Sequence, residues 1–160
     1  MINFNKKNIL AFGGFCAVIF AGAAASAIIT ADAIPEWYAA LKKPAFNPPD
    51  AVFGPVWTCL YFLMAVSAWL VWQSPASKNR ARAMAIFWVQ LALNFAWSFI
   101  FFGAKLPGIA LFEILLLWAS ILAMIVFFRQ ESRIAAWLQA PYLCWVTFAA
   151  VLNFEIWQLN

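Results

Sequence analysis

Not one of the 160 residues is histidine. The commonest general base and the commonest metal ligand are therefore both missing. Cysteine is scarce as well. Cys16, Cys59 and Cys144 fall singly in three separate apolar segments, without CxxC or CxxH spacing, so no metal site is expected. No G-x-x-x-x-G-K loop is present to cradle a phosphate. Charge is thin: Asp, Glu, Lys and Arg make up 10% of the chain against 67% hydrophobic residues. Soluble domains carry roughly 25% charged and 45–50% apolar residues. A chain of this size has no interior able to hide such a surplus from water. Composition thus points to an integral membrane protein and disfavours an enzyme with ordinary acid–base, nucleophilic or metal chemistry.

What is there instead is a series of apolar runs, each close to the ~20 residues that cross a bilayer as a helix. They cover 9–30, 51–73, 83–102, 109–128 and 134–157. One long connection, 31–50, and three short ones join them. The expected fold is all-α, a single five-transmembrane-helix bundle over residues 1–160. The start of the chain has a second reading. Lys6 and Lys7, an apolar run and Ala25-Ser26-Ala27 resemble a cleavable signal peptide. The run from Ile9 to Ile29 exceeds the ~7–15 residues of a signal core, which favours a retained first helix. Gly14, Ala17, Ala21 and Ala25 would suit close packing of that helix, or are simply tolerated by lipid.

Lys6, Lys7, Lys78, Arg80, Arg82, Arg129 and Arg133 fall on one side of this topology, and Lys42, Lys43 and Lys105 on the other. Seven against three predicts the N-terminus inside and the C-terminus outside. The net charge of +4 is then a matter of topology, and no nucleic-acid partner is expected. The housing expected is a bacterial membrane.

Aromatic residues are abundant, with 17 Phe, 10 Trp and 3 Tyr. Trp37, Tyr38, Trp72, Trp137 and Trp157 lie near span ends, as interfacial belt residues do. Trp57, Trp97, Trp118 and Trp145 lie deeper. Gln90, Asn94, Trp97 and Ser98 share one face of the third span. Tyr142, Trp145, Ala149 and Asn153 do so on the fifth, and Trp57, Tyr61 and Met64 on the second. Such faces make an apolar pocket with sparse polar anchors, or a packed core in which Asn94 and Asn153 bond helix to helix. Glu113 is the one acid well inside the hydrocarbon region. It is a functional-site candidate, and the only possible coupling acid were the protein an exporter. Its place near the start of the fourth span equally allows it to snorkel outward.

Pro44, Pro48, Pro49 and Pro55 crowd the entrance to the second span. Pro55 falls in the first turns, where a missing amide costs little. The other three stiffen the end of the long loop, which is expected to fold as a lid over the pocket.

Three blocks in order, "WYAALKKPAFNPPDAVFGPVWTCLYFLM", "LALNFAWSFIFFGAK" and "PYLCWVTFAAVLNFEIW", resemble the translocator protein family. That family is also called the tryptophan-rich sensory protein (TspO/MBR) family or peripheral-type benzodiazepine receptor. The resemblance implies a five-helix bundle, often a homodimer. It further implies a membrane receptor, sensor or transporter for porphyrins such as protoporphyrin IX and haem, and for related small hydrophobic ligands, bound as ligands and not as cofactors. Roles in tetrapyrrole regulation, stress response and light-dependent porphyrin degradation go with it. Positions matching the family's ligand lining are Tyr38, Pro48, Trp57, Tyr61, Asn94, Trp97, Ser98, Trp145 and Ala149. Trp57 and Trp145 match the two tryptophans implicated in porphyrin breakdown, and would be catalytic only there. The cholesterol motif of animal members is incomplete here. Phe154 replaces its tyrosine and no Lys or Arg follows, so sterol transport is doubtful.

Overall fold

A computed structural model describes residues 5–160. All its regular structure is helical, and five helical stretches are long and apolar enough to cross a membrane. Helix α1 spans Lys6–Ala33 and runs on through a wide π turn, Ile34–Tyr38. A single 3-10 turn, Asp50–Val52, leads into α2, Phe53–Trp72. Helix α3, Lys78–Ser98, also ends in a π turn, Phe99–Gly103. Helix α4 is Pro107–Glu131; a short α5, Arg133–Trp137, precedes α6, Ala140–Leu159.

Helices α1 and α3 begin ahead of their apolar segments, where polar residues cap them. Asn5 caps α1 by accepting the Asn8 amide at 2.8 Å, and Ser77 caps α3 by accepting that of Arg80 at 3.0 Å. Polar Asp32 and Glu36 stay helical beyond the first apolar run, so the long connection shrinks to residues 41–49. The fifth segment is broken where the sequence reads as continuous. Ser132 caps α5, and Pro141, in the first turn of α6, lacks the amide that would have joined the two pieces.

Helix α4 packs between α3 and α6 and touches α5; α1 lies against α2 and the end of α3. The half of the bundle holding the ends of α2 and α4 is closed. Phe15 meets Phe87 edge-on at 5.9 Å, and Phe87 stacks on Phe128 at 6.4 Å. Met64, Ala65, Ala68, Ile121 and Met124 fill the space between, fully buried. Ser67 donates to the Ala135 carbonyl at 2.7 Å and fastens α2 to α5. The small-residue stripe of α1 does not pack: Gly14, Ala17, Ala21 and Ala25 all face outward. Close approach happens one position away, where a Cβ on Gly22 would run into the ring of Phe95 from α3. Outward-facing Ile109, Phe112, Leu115 and Leu116 give α4 an apolar flank suited to lipid.

Candidate functional site

The other half of the bundle holds a cavity of about 500 Å³, within the range of small-molecule sites. Four elements wall it. Helix α1 gives small side chains, Ala23, Ala24, Ala27 and Ala31, with Ser26 and Thr30. Helix α2 and its leading turn give Asp50, Phe53, Trp57, Thr58 and Tyr61. The end of α3 gives Trp97, Ser98, Phe101 and Phe102, and α6 gives Trp145, Ala149, Leu152 and Asn153.

The two π turns shape its upper end. Each adds a residue to the helical turn; that of α3 closes on an Ala104 amide to Phe99 carbonyl bond of 2.7 Å. The turns face one another through their rings: Trp37 meets Phe101 at 5.5 Å, and Tyr38 meets Phe102 at 5.6 Å. Trp97 stacks on Phe101 at 4.9 Å. Its indole N–H donates to Asn153 Oδ1 at 3.1 Å, while Asn153 Nδ2 donates to the Pro107 carbonyl at 2.8 Å. Asn153 therefore bonds helices together and also forms cavity wall.

The floor is a polar cluster screened by Tyr61. Trp57 stacks on Tyr61 at 5.3 Å, an offset ring pair that presents its indole to the cavity. The Tyr61 hydroxyl donates to Asn94 Oδ1 at 2.8 Å, and Asn94 Nδ2 donates to the Tyr142 hydroxyl at 2.9 Å. Tyr142 in turn donates to Gln90 Oε1 at 3.0 Å. Three helices are thus joined by bonds each worth about 0.5–1.5 kcal/mol net, at a depth where water cannot compete.

Of the nine residues matched to a lining, seven line this cavity: Tyr38, Trp57, Tyr61, Trp97, Ser98, Trp145 and Ala149. Asn94 stands one shell back, behind Tyr61. Pro48 also stands outside the lining; its carbonyl accepts Asn47 Nδ2 at 3.0 Å, and Asn47 Oδ1 accepts the Tyr38 hydroxyl at 3.1 Å. Of the 31–50 connection expected as a lid, Ala31, Ile34, Tyr38 and Asp50 line the cavity, and residues 41–49 supply no lining residue. Residues 41–49 reach the lining residue Tyr38 through Asn47 and also reach α6, through Phe46 on Phe148 at 6.3 Å and paired bonds between Lys42 and Asn160 at 3.0 Å. Trp118 also falls outside the cavity and donates to Thr147 at 2.9 Å.

Sequence reasoning missed the α1 wall and Asp50. Alanines on an apolar helix carry no directional signal, although Ser26 and Thr30, four apart, share that face. The Ser26 hydroxyl is buried there without a protein partner. Among the described lining residues, Asp50 is the one with a formal charge. No group of three or more His, Cys, Asp or Glu able to hold a metal occurs among the described residues.

The chain is similar to known proteins over most of its length. The sequence model of the TspO/MBR family matches residues 15–158. The tryptophan-rich protein TspO of Archaeoglobus fulgidus is 39% identical over 153 residues, 96% of this chain and 99% of its own. The tryptophan-rich sensory protein of Cereibacter sphaeroides is 40% identical, covering 91% of this chain and 89% of its own. The human translocator protein is 41% identical over 127 residues, 78% of this chain and 75% of its own.

Proposed function

The chain belongs to the TspO/MBR family, a multi-pass membrane protein of five apolar helices, and from that premise we propose that its cavity binds porphyrins, as a receptor, sensor or transporter. The observation that carries this reading is the pairing of Trp57 and Trp145 in one cavity of about 500 Å³ whose lining is mainly apolar. A tetrapyrrole is flat and apolar, and stacks on indole and phenol faces. Trp97, Phe101 and Tyr38 extend the aromatic surface. A homodimer with the N-terminus inside completes the proposal, the latter from the distribution of Lys and Arg.

Titrating protoporphyrin IX into the purified protein in detergent should quench tryptophan emission saturably, with one site per chain. Replacing Trp57 by Ala should weaken binding about tenfold or more, the size of one lost stacking partner. A linear, unsaturable response from folded protein would rule the reading out.

The same pairing favours one further activity, light-driven oxidation of the bound porphyrin with oxygen as electron acceptor and these indoles as redox partners. Illuminated complexes of Trp57→Phe and Trp145→Phe should then lose porphyrin absorbance more slowly than wild type. Equal bleaching in all three would remove the tryptophans from that chemistry.

A further inference from the structure

Glu113 lies six residues into α4, about 9 Å along the helix from its start, and is only 6% exposed. Neither carboxyl oxygen has a hydrogen-bond partner. It does not snorkel: the helix turns this position inward, where α4 packs between α3 and α6. Among the described residues, the elements packed against it offer no counter-ion. Helix α3 carries Lys78, Arg80 and Arg82 at its far end, and no charged residue follows until Lys105, which is exposed. Helix α6 brings Tyr142, Cys144 and Glu155, none cationic, and the Tyr142 hydroxyl is already engaged by Asn94 and Gln90. The π turn at 99–103 has no titratable group, and α5 has only Arg133. Within α4 the nearest cation, Arg129, is 16 residues away, about 24 Å. A carboxylate left unpaired in such a place costs several kcal/mol.

We propose that Glu113 is a proton-binding site within the membrane domain, held as the neutral acid while α3, α4 and α6 are packed together. Losing its proton to the aqueous phase beyond the α3–α4 turn leaves a charge that needs water. The three helices must part to admit it. Two of them carry the Trp97–Asn153 bond that forms cavity wall, so proton loss loosens the cavity from behind. The site itself is independent of which ligand the cavity takes.

The hydrophobic reagent dicyclohexylcarbodiimide distinguishes this state. A carboxylic acid gives its proton to a carbodiimide nitrogen as its oxygen adds to the central carbon, and the adduct rearranges to a stable N-acylurea. In lipid nanodiscs near neutral pH, mass spectrometry should find that adduct on Glu113. Labelling should fall about tenfold per pH unit once the site has titrated. A water-soluble carbodiimide should instead mark exposed acids such as Asp50 and leave Glu113 unmodified. Infrared difference spectra, wild type minus Glu113→Gln, should show a protonated carboxyl stretch near neutral pH. Carboxylate bands in that difference, or equal labelling of Glu113 by both reagents, would overturn the assignment. Amide exchange over residues 110–117 should rise at alkaline pH more in wild type than in Glu113→Gln; equal exchange would overturn the link to packing.

Discussion

The Tyr61 hydroxyl sits where the cavity ends and the bonded floor begins, so one oxygen separates two kinds of environment. Tyr61→Phe keeps the ring on Trp57 but leaves Asn94 Oδ1 without its donor. Thermal unfolding in detergent should report a loss of about 1–3 kcal/mol, the cost of a buried acceptor left unsatisfied. Asp50 acts in the opposite way, through charge and not through a bond. It places the one formal charge in the described lining, and the carboxylates of a porphyrin bound there would be repelled by it. Asp50→Asn should tighten protoporphyrin IX binding about fivefold, the size of a part-screened repulsion of ~1 kcal/mol. Unchanged or weaker binding would place the carboxylates away from this rim. At this scale the sequence was legible in part. The shared faces of Trp57 and Tyr61, and of Trp145 and Ala149, follow from 3.6-residue spacing. The inward turn of Glu113 does not, since the rotation of α4 is set by packing against α3 and α6.

At the scale of elements, apolar runs of about 20 residues located five spans because a helix of that length crosses a bilayer with its backbone polar groups satisfied within the segment. Their ends escaped the same reasoning. Helical geometry continues past the first apolar run through Asp32 and Glu36, and the break before α6 lies inside an apolar stretch. The outward stripe of Gly14, Ala17, Ala21 and Ala25 shows why small residues alone do not define an interface. They permit approach, but the neighbour's side chains choose where it occurs. Here it occurs at Gly22, against Phe95. Gly22→Ala should push α1 from α3 and lower stability by about 1–3 kcal/mol, as overpacking does. Adding Phe95→Leu should recover part of that loss, so the double-mutant cycle should show coupling. Simple additivity would mean that the two helices do not meet there.

Over the whole molecule, the bundle divides into a closed half centred on Phe87 and Phe128 and an open half built around the aromatic cavity. The division has a physical origin. Met64, Ala65 and Ala68 let α2 pack tightly below, whereas the two π turns and the alanine face of α1 leave space above. Composition established the membrane setting; no periodicity foretold the empty volume, because a void is a property of several helices at once. Orientation remains a matter of Lys and Arg placement. Alkaline phosphatase fused after Asn160 should therefore be active outside the cell and a fluorescent protein fused there should be dark. The reverse pattern would invert the topology.

The proposed ligand position is the volume between Trp57 and Trp145. Ala149 lines that volume from α6, and Ala149→Phe would fill it without touching either indole's chemistry. Protoporphyrin IX titrations of wild type and Ala149→Phe, both verified as folded, test the claim most directly. Saturable quenching at one site in wild type and its loss in the variant is the expected result. Equal affinity in both would put the porphyrin elsewhere on the protein.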